Sequence, residues 1–178
     1  MDEGSFVDRL ARVRIGGTFN QYARSELRRE RLRRYLESRR GASVLLVGEA
    51  AGYRGTRMSG VPFTSERQLT GREPAEATAT IVHRVLAELG LEADVLLWNL
   101  VPTHPHRPGI PHSNRPPTRR EIEAARPFLA TLAGSAASNR LLLAVGRLAH
   151  AELGGPYVRH PSHGGTTPFR ESLISCLS

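Results

Sequence analysis

Short apolar runs that alternate with helical segments limit the folds open to this chain more than any other feature. The run at 43–47 is continuous and is followed by Gly48, as a strand buried in a parallel sheet would be. Similar runs occur at 94–98, 141–145 and 157–159. Apolar spacing and capping signals predict helices between them; Thr118 and Glu121, for example, have capping-box spacing. These helices lie at 25–40, 73–89, 118–132, 147–153 and 168–177.

This alternation is typical of a parallel sheet with helices on both faces. We therefore predict an α/β fold, a three-layer α/β/α sandwich with a central, mainly parallel four-stranded sheet. A length of 178 residues fits a single domain, 1–178, whose residues 1–41 form an arginine-rich, helical N-terminal region. The helix at 25–40 has an apolar face that we expect to be buried. That face consists of Leu27, Leu32, Tyr35 and Leu36.

Several classes of protein are excluded by composition. The single cysteine, Cys176, allows neither an internal disulfide nor a four-cysteine cluster within the chain. No apolar stretch reaches the ~20 residues of a membrane span. The first residues are acidic, whereas a signal peptide begins with a basic and then an apolar run. We expect a cytoplasmic monomer that does not contact a membrane.

The charge of the chain suggests a polyanionic partner. It has 25 basic residues, all of them arginine, against 17 acidic residues, a formal net charge of +8. Arginine binds phosphate with two parallel hydrogen bonds and stacks on bases. A general bias towards arginine, alanine and glycine in the genome would give a similar composition, so charge alone leaves both explanations open.

The residues with unusual chemistry follow three different strands. They are 48–52 after the first, Asn99 after the second and 160–165 after the fourth. Ligands of parallel sheets bind outside the carboxyl ends of the strands. We therefore expect these loops to form one cleft.

Each candidate side chain in these loops has a functional and a structural interpretation. Phe63 could stack on a flat base or fill the core beneath its loop. The Asn99 amide could pair with the donor and acceptor edge of a pyrimidine or cap local backbone. His160 could donate a hydrogen bond to an oxygen that gains negative charge. The three histidines between 103 and 112 are separated by prolines and fit no common zinc pattern, so no metal is expected.

Four segments, in order, resemble motifs of the uracil-DNA glycosylase superfamily. GEAAG at 48–52, followed by GVPF at 60–63, resembles its first motif. LWN at 97–99 resembles the motif whose asparagine reads uracil, and HPS at 160–162 resembles the final motif with its catalytic histidine. The stretch SNRPPT at 113–118, leading to RPFL at 126–129, is similar to the iron–sulfur branch of the superfamily.

The resemblance implies a DNA repair enzyme that flips uracil, and other deaminated bases, out of the DNA stack and hydrolyses the N-glycosidic bond of the flipped nucleotide. Catalysis would fall to His160, Glu49 and Asn99. Phe63, Asn99, Gly48 and Ala50 would bind the base. No cofactor is implied, and the partner is DNA. The expected DNA contacts are Arg54, Arg57, Arg107, Arg115, Ser162, His163, Gly164 and Arg170.

The chain departs from the superfamily's pattern in its first motif and in its cysteines. Ala50 stands where well-known members have a water-orienting aspartate, and Ala51 stands where proline is usual. Those members also have a tyrosine that excludes thymine at about the position of Gly52. The lack of three cysteines implies that the iron–sulfur cluster is missing. One alternative is a protein of this fold that binds uracil or damaged DNA without cutting it. Phosphate-loop and serine-hydrolase alternatives are disfavoured because their Gly-Lys-Ser/Thr and Gly-x-Ser-x-Gly sequences do not occur.

Overall fold

A computed structural model describes residues 2–134, 140–162 and 164–178. Four strands, β1 (Val44–Ala50), β2 (Val95–Val101), β3 (Leu141–Val145) and β4 (Tyr157–Val158), form one sheet in the order β2-β1-β3-β4. All three pairings are parallel. The helices are α1 (Glu3–Arg12), α2 (Glu26–Ser38), α3 (Thr56–Ser59), α4 (Glu66–Thr70), α5 (Ala77–Glu88), α6 (Arg119–Ala133), α7 (Arg147–Leu153) and α8 (Thr166–Leu177). The predicted α/β sandwich with a parallel four-stranded sheet is confirmed.

Two apolar cores, one on each face of the sheet, produce the three layers. Alternate β1 residues supply both, because successive side chains of a strand point to opposite faces. Leu45 joins a core with side chains of α1, α2, α6 and α7. Leu46 joins the other core, with side chains of α5 and α8. Each face of the sheet is therefore closed by helices, and the carboxyl edge of its strands is left for the loops.

The N-terminal region packs on the first core through α1, a helix that the sequence analysis did not place. Phe6 of α1 is fully buried and meets Trp98 of β2 edge to face, with ring centroids 5.6 Å apart. Ion pairs tie α1 to its surroundings, Arg33 to Asp8 at 2.9 Å and Arg40 to Glu3 at 2.9 Å. Part of the arginine content of this region thus stabilises helix packing.

The structure differs from the sequence-based predictions in the buried face of α2 and in the first residues of α5 and α8. The expectation that Leu27 is buried was wrong, since it is 60% exposed, whereas Leu32 and Leu36 are buried. Leu27 lies about 140° around the helix from Leu32, because each residue turns an α-helix by about 100°. Helix α5 begins at Ala77 and not at 73, and α8 begins at Thr166 and not at 168.

The capping box at the start of α6 is confirmed. The Glu121 N–H donates to Thr118 Oγ1 at 3.3 Å, and the Thr118 N–H donates to the Glu121 carboxylate at 2.8 Å. The same carboxylate accepts from Arg115.

Among the described helices, none is long and apolar enough to cross a membrane.

Candidate active site

A cleft of about 440 Å³ opens at the carboxyl edge of the sheet. Its walls come from the segments after β1 and β2, the start of α5, the loop before α6 and the segment after β4. Glu49, Phe63, Asn99 and His160 all line it. The remaining lining residues are Ala50, Ala51, Gly52, Thr56, Glu76, Thr78, Pro105, Asn114 and Arg115.

Gly48 is buried and packs against Phe63, which lines the cleft. The tip of the Phe63 ring occupies the space that a side chain at Gly48 would need: a Cβ there would overlap Cζ and lie 2.9 Å from Cε2. Phe63 has a φ of +52°, a left-handed conformation that is uncommon for a non-glycine residue. It is 7% exposed and belongs to the second core while it lines the cleft. Phe63 is therefore both a core residue and part of the cleft wall.

Asn99 is the most informative side chain of the cleft. It lies on β2 in register with Gly48 of β1 and is 3% exposed. Its Oδ1 is buried without a hydrogen-bond partner in the part of the chain that the structure describes. An unpartnered buried amide oxygen costs about 1–3 kcal/mol. Among the described residues Asn99 Oδ1 caps no backbone N–H, so this oxygen can accept a hydrogen bond from a ligand.

His160 follows β4 and is oriented by Ser162. The Ser162 backbone N–H donates to His160 Nδ1 at 3.1 Å, and the Ser162 Oγ lies 2.8 Å from the same nitrogen. Nδ1 accepts a hydrogen bond only while it carries no proton, so the neutral ring carries its proton on Nε2. His160 is therefore held as a donor through Nε2.

Glu49 lies where two cavities meet. Besides the cleft, it lines a neighbouring cavity together with His160 and the N-terminal residues of α7. Burial raises the pKa of its carboxyl. A half-buried carboxyl in this position can take part in proton transfer or stabilise a positive charge.

Sequence reasoning missed a second carboxyl in the cleft, that of Glu76. It lies directly before α5, and burial raises its pKa as well. No sequence signal separated it from the rest of the helix predicted at 73–89. Its position became visible only with the true start of α5 and the packing of that start on the turn at Gly52 and Gly55.

The residues predicted to contact DNA occupy different environments. Arg54, Arg107 and Arg170 are exposed. The Arg57 guanidinium lies between two rings, 4.7 Å from the Phe19 centroid and 4.9 Å from the Tyr53 centroid.

Arg115 lines the cleft but is paired with the buried Glu121 at 2.6 Å. Ser162 contacts His160, as described above. Gly164 is exposed and has a φ of +73°, while His163 lies outside the described residues.

No group of three or more histidine, cysteine, aspartate or glutamate side chains is arranged to hold a metal ion in residues 2–134, 140–162 and 164–178. Besides two threonines, the polar side chains that line the cleft are two amides, Asn99 and Asn114, one imidazole, two carboxyls and an arginine that is already paired. This set can bind a flat polar ring, donate to a developing anion and stabilise a developing cation.

Comparison with known proteins agrees with this chemistry. The model of the uracil DNA glycosylase superfamily matches residues 37–174, and the chain belongs to that superfamily. Its fold is similar to the crystal structure of wild-type SMUG2 from Pedobacter heparinus, with a TM-score of 0.66 and 11% identity over 98% of this chain and 96% of that one. No curated protein sequence matches it. Membership of this superfamily places the chain in the general class of DNA glycosylases.

Proposed function

We propose that the chain is a base-excision enzyme that removes uracil, and other deaminated bases, from DNA, and that it acts as a monomer in the cytoplasm. The proposal rests first on Asn99, which lines the cleft and whose buried Oδ1 has no hydrogen-bond partner in the described residues. A carboxamide donates to one ring oxygen and accepts from one ring N–H. Uracil presents that pair of groups along one edge.

The remaining cleft residues have complementary roles in this reaction. The flipped base stacks against Phe63 and pairs with Asn99. The bond between C1′ and the base nitrogen breaks, and its electron pair leaves with the base. His160 Nε2–H donates to the base carbonyl oxygen that gains negative charge, and such a donor contributes on the order of 3–4 kcal/mol. Water then adds to C1′, and the proton that it releases neutralises the base anion.

The alternative is a protein that binds damaged DNA without cutting it, and the side chain at Ala50 favours it. Alanine cannot orient a water molecule, so the first motif lacks the carboxylate that hydrolysis in well-known members uses. The carboxyls of Glu49 and Glu76 in the same cleft favour the enzyme.

Excision by the purified protein, in excess over its substrate, distinguishes the two. Oligonucleotides carrying uracil, hypoxanthine, xanthine or a thymine mismatch are assayed for abasic sites. We expect the wild-type protein to excise uracil. Asn99→Asp keeps the size of the side chain but loses a donor, and it should lower the excision rate by about tenfold or more, because paired base contacts discriminate by about 1–3 kcal/mol each. Tight binding of uracil-containing DNA without any abasic site would favour the binding protein.

A further inference from the structure

The Glu76 carboxylate lines the cleft and packs closely against two glycines. Glu76 precedes α5 but makes no side-chain hydrogen bond to the start of that helix. Its carboxylate lies instead against the turn after β1. A Cβ at Gly52 would overlap Oε1, and a Cβ at Gly55 would lie 2.8 Å from the Glu76 Cδ. Glycine at both positions allows the carboxylate to approach the backbone this closely.

Within the part of the chain that the structure describes, this carboxylate has no ion pair and no hydrogen-bond partner. Carboxylates that serve packing in this protein are paired, as Glu121 is with Arg115 and Glu66 with Arg31. Burial raises the pKa of the Glu76 carboxyl, as it does that of Glu49.

A carboxylate at this position opposes the binding of intact DNA. The phosphates of the substrate are negative, and the leaving base gains negative charge as the bond breaks. The deoxyribose is the one part of the substrate that becomes positive, when C1′ loses the electron pair of the bond. A low-dielectric cleft strengthens the attraction between that cation and a nearby carboxylate. The favourable interaction is therefore made in the transition state and not with the intact substrate.

We propose that Glu76 is a further catalytic residue, a second carboxylate that faces the deoxyribose and stabilises its positive charge as the glycosidic bond breaks. The proposal rests on the proposed function for the identity of the substrate. It also supplies, from the start of α5, a negative charge that Ala50 cannot provide in the first motif. Gly52 and Gly55 are then required by the position of Glu76 and not by a contact with DNA.

Binding of two abasic-site analogues tests the charge of Glu76 without any turnover. One oligonucleotide carries a pyrrolidine in place of the deoxyribose, which is cationic, and the other carries a neutral tetrahydrofuran. The quantity measured is the ratio of their dissociation constants. Unit charges 4 Å apart change this ratio by about a thousandfold at an effective dielectric of about 20 and by about fivefold at that of water. Because the cleft is open to solvent, we expect a ratio nearer the lower limit, about tenfold.

Glu76→Gln should remove most of the preference for the cationic analogue, while its affinity for the neutral one stays equal or increases. Glu76→Asp should retain part of the preference. Glu88→Gln, at the exposed far end of the same helix, is the matched control and should behave as wild type. Equal ratios for wild type and Glu76→Gln would overturn the proposal. If wild type cuts no base but keeps a ratio that depends on Glu76, the proposed function fails and the charged pocket stands.

A measurement on protein with its native Glu76 covers the case in which Glu76→Gln does not fold. In a Glu49→Gln background, the preference for the cation should be present above the raised pKa of Glu76 and be lost as the pH falls through it. The other charged or titratable side chains that line the cleft are Glu49, which this background neutralises, Arg115 and His160. Arg115 keeps its charge at every pH of the titration and adds a constant contribution to the ratio. Repeating the titration with His160→Ala added removes any contribution of the imidazole. A ratio that does not change with pH would contradict the proposal.

Discussion

Gly48→Ala tests whether the Phe63 ring is a wall of the base site and not only a core residue. The added Cβ would overlap Phe63 Cζ and lie 2.9 Å from Cε2 and 3.2 Å from Cε1. Carbon atoms in contact prefer about 3.5–4.0 Å, so the ring must move by on the order of 1 Å. Phe63 is held in a left-handed conformation after Pro62, which leaves its backbone little freedom to follow.

Two separate effects should follow from Gly48→Ala, one on stability and one on the excision rate. Overpacking of this kind destabilises a core by about 1–3 kcal/mol, which lowers the melting temperature by several degrees. A displaced ring also loses the stacking energy of one base, about 1–3 kcal/mol, or roughly five- to 150-fold in the excision rate at limiting protein.

Thermal unfolding and excision kinetics on the same preparation separate the two effects. Gly41→Ala is the matched control, because a Cβ at Gly41 meets nothing within 4 Å and should change neither quantity. If Gly48→Ala unfolds at a lower temperature but excises uracil at the wild-type rate while folded, the Phe63 ring is a core residue and does not contact the base.

Three further predictions address catalysis, stability and binding. His160→Ala should lower the single-turnover rate roughly a hundredfold or more, whereas Ser162→Ala should cost much less because the Ser162 backbone N–H still holds the ring; equal losses would contradict this orientation. Burial raises the pKa of Glu121, but Arg115 and the Thr118 N–H outweigh it and lower the pKa from 4.5 to about 2. The ionised carboxylate therefore contributes stability that is fully present above pH 4.5 and is lost as the pH falls towards 2. Urea unfolding of Glu121→Gln should show a smaller loss of stability over that pH window. Arg57→Gln should reduce the slope of log K against log salt by about 0.7 on single-stranded or 0.9 on duplex DNA; an unchanged slope would show that Arg57 contacts no phosphate.

The position of the cleft could be predicted from the sequence because parallel strands impose it. Strands that run in one direction bring their carboxyl ends to one edge, so residues 48–52, Asn99 and His160 had to be neighbours once the strands were recognised. The strand signals were strong, since β1 and β2 are continuous apolar runs buried on both faces. Neither step required knowledge of how the side chains pack.

Glu76 and Leu27 could not be placed in this way, for related reasons. Periodicity fixes the face of a helix but not its first residue, and Glu76 acts from the position before α5. Its role also depends on its contact with Gly52 and Gly55, which are distant in the sequence. Leu27 was assigned to a buried face because it is apolar, although its angular position differs from that of Leu32 and Leu36. In an arginine-rich helix, an apolar residue alone does not identify the packed side.

The distribution of the arginines changes what the net charge of +8 means for DNA binding. In α2, Arg29, Arg31, Arg33 and Arg34 form ion pairs with glutamates or an aspartate, and Arg115 pairs with Glu121 at the cleft itself. These arginines are engaged in ion pairs, so under the proposed function we expect them to release few counterions from DNA. Arg54, Arg57 and Arg107 form no ion pair in the described residues. We therefore expect the unpaired arginines, and not the net charge of the chain, to set the salt dependence of DNA binding, while the cleft itself holds the carboxyls of Glu49 and Glu76.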